Sequence, residues 1–257
     1  MNRKYRKTVV AGNWKMFKTP SETRAYAEEL KNALPRAKRC SIVLSVPFVN
    51  IPAAVKALKD SRIAVAAQNV HWEAQGAFTG EVSATMLAEL GVKYALVGHS
   101  ERRQHFNETD LTVNKKIRAL LDAGLRPILC VGESLEQREL DVTFELIAYQ
   151  VKAALSGVSA EEMRHIIIAY EPVWAIGTGK TASPEQAGEV CGAIRAVVRR
   201  LYGARVARGT TIQYGGSMNA QNAAALLAQA DVDGGLIGSA SLDPAQFLQI
   251  ILAANQE

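Results

Sequence analysis

A single (β/α)8 barrel, an α/β fold of eight parallel strands closed on themselves with helices outside, is the architecture this sequence predicts as one domain over residues 1–257. Three observations predict it. Short β-rich runs recur eight times, segments of helical spacing lie between them, and no Pro-, Gly- or Ser-rich linker interrupts the alternation. Strands that are apolar on both faces and alternate with helices imply a parallel sheet covered by helices, and eight βα units is the count that closes. A length of 257 residues suits such a barrel, which typically runs to about 250.

The runs fall at Thr8 to Ala11, Ser41 to Val46, Ile63 to Ala67, Val92 to Val97, Pro127 to Val131, His165 to Tyr170, Thr210 to Tyr214, and Leu236 to Ile237 after Gly234 and Gly235. Four helix starts are legible: Thr19-Pro20-Ser21-Glu22, Ser134-Leu135-Glu136-Gln137, Ser183-Pro184-Glu185-Gln186 and Asp243-Pro244-Ala245-Gln246. Each opens on a capping side chain with Glu or Gln three residues on, and three carry Pro at the first helical position, where its missing N–H costs nothing. A further helix is expected to begin near Met218, directly after Tyr214-Gly215-Gly216-Ser217.

Composition excludes several function classes. The longest apolar run, Ala223 to Ala228, is far short of the about 18 residues that cross a bilayer, so no membrane association is expected. Only Val9, Val10 and Ala11 follow the basic head that ends at Lys7, too few for the apolar core of a signal peptide. Cys40, Cys130 and Cys191 are odd in number and form no Cys-x-x-Cys pair, which points to a reducing, cytoplasmic home. The net charge is +5, but outside the head the basic residues read as scattered among acidic ones. Nucleic acid is therefore not expected, and an anionic small molecule suits the modest excess. The four histidines, His71, His99, His105 and His165, have no ligand spacing, and Gly177-x-Gly179 lacks a preceding strand and a third glycine, so neither a metal nor a dinucleotide is expected.

Polar residues gather where the runs end, which is where barrel enzymes keep their chemistry. After the first run, Asn13 and Lys15 are two apart, so on extended chain their side chains point the same way. The fourth run delivers His99, with Ala95 and Val97 as alternation partners, and the sixth delivers Glu171, sharing a face with Ile167 and Ala169. An amine, an imidazole and a carboxylate thus meet at one mouth. Gly215-Gly216-Ser217 and Gly238-Ser239 close the last two runs and form a candidate anion cradle, because glycine lets backbone N–H groups approach a ligand. Pro172 to Ala182 carries one charge and two glycines beside Glu171, the composition of a lid that excludes water. The long loop His71 to Gly80 bears Trp72 and Phe78, aromatics that invite a partner subunit.

The segments Gly12-Asn13-Trp14-Lys15-Met16, Val97-Gly98-His99-Ser100-Glu101-Arg102-Arg103, Ala169 through Ala182, and Tyr214 through Ser217 closely resemble the triosephosphate isomerase family, and the likeness runs over essentially the whole chain. The resemblance implies a TIM barrel that interconverts dihydroxyacetone phosphate and glyceraldehyde 3-phosphate without metal or cofactor. It implies Glu171 as the base, a neutral His99 as electrophile, and Lys15 and Asn13 as stabilisers of the enediolate. Ser100 and Glu101 are implied as supports of the base and the lysine, and Gly177, Ser217, Gly238 and Ser239 as phosphate contacts. It further implies a homodimer whose Thr79 loop enters the neighbour's site, with Cys130 and an Arg102–Glu108 pair as structural supports. Two positions depart from the family's pattern. Ser239 stands where a second glycine is usual, placing a Cβ beside the phosphate, and Asn107 replaces a glycine where Asn tolerates the left-handed conformation. Two alternatives stay open on the residues: a Schiff-base aldolase-type phosphate-binding barrel with Lys15 as nucleophile, and a non-catalytic scaffold that binds sugar phosphates.

Overall fold

The computed structural model describes residues 5–176 and 181–255. Its strands are β1 (Thr8–Asn13), β2 (Cys40–Val46), β3 (Ile63–Ala67), β4 (Tyr94–Val97), β5 (Arg126–Val131), β6 (Ile167–Tyr170), β7 (Ile212–Tyr214) and β8 (Gly234–Ile237). They pair in sequence order, all parallel, and β8 closes on β1 through Val9 opposite Gly234 and Gly12 opposite Ile237. Helices α1 (Pro20–Ala33), α2 (Ile51–Ala57), α3 (Ala84–Glu89), α4 (Ser100–His105), α5 (Asp110–Asp122), α6 (Leu135–Glu139), α7 (Thr143–Ala154), α8 (Pro184–Gly209), α9 (Ala223–Ala228) and α10 (Pro244–Ala254) cover the outside.

Alternation along the strands builds two apolar layers. Val9, Ala11, Val43, Ala66, Leu96, Ile128, Cys130, Ile167, Ala169 and Leu236 fill the barrel. Their neighbours in sequence, such as Val10, Ile42, Val97, Ile168 and Tyr170, pack outward against the helices. The four expected caps form. Thr19, Ser134 and Ser183 make reciprocal capping boxes with Glu22, Gln137 and Gln186, while Asp243 accepts from the Gln246 N–H at 2.8 Å.

Four expectations need correction. The strand β8 begins at Gly234 and not at Leu236, because the two glycines lie flat against β1, where a Cβ on Gly234 would strike the Val9 carbonyl. No helix begins near Met218. Asn219 Oδ1 accepts the N–H groups of Gln221 and Asn222 at 2.9 and 3.1 Å, and Asn222 Oδ1 accepts that of Asn219 at 2.8 Å. This polar turn satisfies the backbone without a helix, so α9 starts only at Ala223. His99 does not share the face of Ala95 and Val97, which pack outward. Gly98, at φ +73°, breaks the alternation and turns His99 into the mouth. Finally, the basic residues are not all scattered. Arg195, Arg199, Arg200, Arg205 and Arg208 lie on α8, and no acidic residue occurs between Glu189 and Asp231, a segregation that the whole-chain balance averages away.

Candidate active site

A cleft of about 220 Å³ opens at the carboxyl ends of the strands, lined among others by Asn13, Lys15, His99, Glu171, Ile176, Gly215, Gly216, Ser217, Gly238 and Ser239. Asn13 closes β1 on the inward register of Val9 and Ala11. Lys15 reaches the same cleft by a route the alternation rule does not give, since its backbone is left-handed at φ +54°. Such a conformation is strained for a residue with a Cβ, and its surroundings must hold it. Asn13 Oδ1 accepts the Lys15 N–H at 3.0 Å, while Gln68 Nε2 donates to the Lys15 carbonyl at 2.9 Å and to that of Ser45 at 3.0 Å. The Lys15 ammonium ends 2.7 Å from Glu101 Oε1. That ion pair fixes the ammonium at the rim of the cleft.

The turn at Gly98 is built tightly. A Cβ there would lie 2.8 Å from Arg103 Nη2, 3.0 Å from the Cys130 carbonyl and 3.1 Å from Val113. Glu108 holds the turn from below, accepting the Gly98 N–H at 2.6 Å and pairing with Arg102 at 2.9 Å and with buried Lys116. The helix α4 then starts with its Glu101 N–H donating to His99 Nδ1 at 3.3 Å. An accepting Nδ1 places the imidazole proton on Nε2, which faces the mouth.

Glu171 follows β6 and is 2% exposed. Its Oε2 accepts the Ser100 N–H at 2.9 Å, and its Oε1 lies 3.0 Å from His99 Nε2 without an aligned hydrogen bond. Burial pushes the Glu171 carboxyl up, but His99, the Ser100 N–H and Lys15 together outweigh it and hold the carboxyl below its ordinary range. For His99 the opposition is mirrored. Burial pushes the imidazole down, and the carboxylates of Glu171 and Glu101 raise it above its ordinary value. Burial, with the charge of Glu171 adding to it, raises the Cys130 thiol well above its usual range, so this inward side chain stays a protonated packing group.

The glycines after β7 serve the carboxylate as well as any anion. A Cβ on Gly215 would lie 2.9 Å from Glu171 Cγ, and one on Gly216 would overlap the Tyr214 hydroxyl. Ser217 Oγ donates to the Ala175 carbonyl at 3.1 Å, tying this loop to the segment after β6. Half-buried Gly238 and exposed Ser239 complete the rim, with Ser239 opening a 3-10 turn through Ser241. Gly177 lies outside the described residues, as does most of the tip of the expected lid. Thr79 is exposed and does not line the cleft.

Glu133, after β5, escaped the sequence reading although it follows a glycine at a strand end as His99 does. Fully buried, its Oε1 accepts from the Tyr170 hydroxyl and Trp174 Nε1, each at 2.9 Å, and from Arg138 at 3.1 Å, while its carbonyl accepts the Val173 N–H at 3.0 Å. It therefore anchors the 3-10 turn Val173–Ala175 that leads from Glu171 toward Ile176. The expected Arg102–Glu108 pair is present, and Asn107 adopts φ +53°.

The family model for triosephosphate isomerase matches residues 8–254. The chain is 59% identical over 245 residues to the triosephosphate isomerase of Acetivibrio thermocellus, covering 95% of this chain and 97% of that one. It is 50% identical to the triosephosphate isomerases of Solibacter usitatus and Alkaliphilus metalliredigens, in each case across 96% of this chain and 99% of the relative. An eight-stranded parallel barrel with these residues at its mouth, matched over nearly its full length, belongs to the triosephosphate isomerase family.

Proposed function

We propose that the protein is an intramolecular oxidoreductase, an aldose–ketose isomerase that interconverts dihydroxyacetone phosphate and D-glyceraldehyde 3-phosphate, a step of glycolysis and gluconeogenesis. The observation that carries this reading is a buried, ionised Glu171 at the mouth beside His99, with Lys15 and Asn13 on the opposite rim. Proton abstraction next to a carbonyl needs a base and electrophiles aimed at the oxygen that gains charge. Glu171 takes a proton from C1 of the ketose, and the C–H electron pair moves into the C1–C2 bond as the carbonyl oxygen becomes an oxyanion. Lys15 contributes charge, Asn13 a side-chain amide and His99 its Nε2–H to that enediolate. His99 Nε2–H passes its proton to the C2 oxygen and takes up the hydroxyl proton of O1, so C1 becomes the carbonyl as Glu171 returns its proton to C2, and the electron count of the substrate is unchanged.

For the base to reach carbon it must leave the Ser100 N–H, so Ser100 acts as its resting support and Glu101 as the anchor of Lys15. Departure of Glu171 removes the main influence that raises the His99 pKa. Burial and Lys15 then favour the neutral ring that a hydrogen-bond donor requires. A carboxylate base beside a neutral histidine is the established pairing of this isomerase family. The phosphate falls to Ser217, Gly238 and Ser239, together with Gly177.

We also propose a homodimer in the cytoplasm. Met16, Phe17, Phe78, Met86 and Phe106 are exposed, and a second cleft of about 280 Å³ beside the mouth is lined by Lys15, Met16, Phe48, Gln68, Arg102 and Phe106. That cleft suits the Thr79 loop of a second copy. The three cysteines are buried and form no disulfide with one another, as suits a reducing compartment. Among the described residues no helix is long and apolar enough to cross a membrane. A coupled assay with each triose phosphate tests the reading. Interconversion in both directions that is lost in Glu171→Gln supports it, and its absence from the folded parent overturns it.

A further inference from the structure

At the opposite end of the barrel, where the strands begin, a cleft of about 410 Å³ is lined by Arg6, Gly192, Arg195, Ala196, Arg199, Ala204, Ala207 and Arg208. Two of its four guanidiniums belong to the fold. Arg6 Nε lies 2.6 Å from Asp233 Oδ1, and Arg195 lies 2.6 Å from both Asp231 Oδ1 and Asp233 Oδ2 while donating to the carbonyls of Ala207 and Thr210 at 2.8 Å. These contacts tie the entries of β1, β7 and β8 together and give each carboxylate a guanidinium partner. The other two guanidiniums are not consumed. Arg208 rests over the Tyr5 ring at 5.0 Å, and neither it nor exposed Arg199 has a carboxylate partner among the described residues.

The sequence makes the imbalance deliberate in chemical terms. Between Glu189 and Asp231 there is neither an acidic residue nor a lysine, but there are five arginines, and the basic head brings Arg6 to the same wall. One oxygen, Asp231 Oδ2, borders the cleft, 3.3 Å from where a Cβ on Gly192 would sit. Against Arg6, Arg195, Arg199 and Arg208, the two aspartates leave an excess of two positive charges. Guanidinium offers paired donors in a fixed fork that matches the oxygens of a phosphate, which lysine does not. Gly192, Ala196, Ala204 and Ala207 form a floor without long side chains, and the volume falls within the about 300–1,000 Å³ usual for small-molecule sites.

We propose that this cleft binds a phosphorylated small molecule, its phosphate between Arg199 and Arg208 and its body on the floor of Gly192 and the alanines. Nucleic acid is the less favoured ligand because the uncommitted charge is confined to two guanidiniums of one cleft and forms no stripe that could follow a strand. The assay is isothermal titration of inorganic pyrophosphate into the full chain. The parent is compared with R199A/R208A, whose replaced side chains are exposed and play no part in the mouth, and circular dichroism verifies the fold of both. One equivalent of pyrophosphate that binds the parent, and binds the variant at least tenfold more weakly, is the expected result. Binding that is equal in parent and variant, or absent from the parent, overturns the proposal. Capture of a DNA duplex by the parent without any uptake of pyrophosphate overturns it in favour of a polyanion surface.

Discussion

Glu171 is held by one backbone N–H and one imidazole, and its usefulness depends on how far its carboxylate extends. Shortening the side chain by one methylene in Glu171→Asp withdraws the base by about 1 Å, and misplacement of that order costs about 100-fold. The expected outcome is a kcat lower by roughly that factor with an unchanged circular dichroism spectrum, and an unchanged kcat would remove Glu171 from the chemistry. Glu171 and Asn13 were legible in the sequence because each extends the inward register of its strand. Lys15 and His99 were legible only by position. What actually aims them is a left-handed backbone, at Lys15 itself and at Gly98 before His99, and alternation along an extended chain carries no information about such a turn. Glu133 was missed for another reason: a carboxylate that works by anchoring Trp174 and Tyr170 looks, in sequence, like any charge after a strand.

Elements were read more securely than their ends. All eight strands were recognisable from β-rich runs, yet β8 was shortened because its two glycines carry no strand signal, and α9 was started early because the Asn219–Asn222 turn mimics a helix entry. The junction between β4 and α4 is the element whose geometry matters most to the site. Gly98→Ala adds a Cβ to a left-handed residue with contacts at 2.8 to 3.1 Å, so a stability loss of about 1–3 kcal/mol and a marked fall in kcat are expected together. Chemical denaturation and steady-state kinetics measure both, and a fall in stability alone would mean that His99 is aimed by something else. Beneath that turn, burial pushes the Glu108 carboxyl up, but Lys116, the Gly98 N–H and Arg102 outweigh it and hold it below its ordinary 4.5. Because the folded pKa is the lower one, its stabilisation is complete above the unfolded value and disappears as pH falls through the folded value. Glu108→Gln should therefore cost about 3–5 kcal/mol near neutrality, since Lys116 is left buried and unpaired. The gap to the parent should narrow as acidity increases below pH 4.5, and denaturation midpoints across that range check the sign. At the lid, deletion of residues 176–179 is expected to lower kcat sharply and to release methylglyoxal, because an enediolate open to water can expel its phosphate. Equal phosphoglycolate affinity in parent and deletion, with no methylglyoxal, would leave the segment an ordinary surface loop.

For the molecule as a whole, the open question is assembly. Thr79→Arg puts a guanidinium into a loop read as entering a second copy, and desolvating it without a partner is costly. A monomer by light scattering, with activity reduced at least tenfold, is the expected result; a dimer of parental size would displace the loop from the interface. The fold class itself was readable from the count of βα units, but the segregation of charge was not. A net of +5 gives no hint that α8 gathers arginines at the far end of the barrel.

Closure of β8 onto β1 also sets an order of events during synthesis. Val9 must wait for Gly234, the Trp14 indole for the Ser241 carbonyl at 3.1 Å, and the Arg6 guanidinium for Asp233. At about 5–20 residues per second, the ribosome leaves β1 with one unsatisfied edge for roughly ten seconds or more. Until β8 emerges, the growing chain is an open sheet with a bare parallel edge at each side, the form most exposed to pairing with a neighbouring chain. The same sheet, once closed, has no edge left to offer.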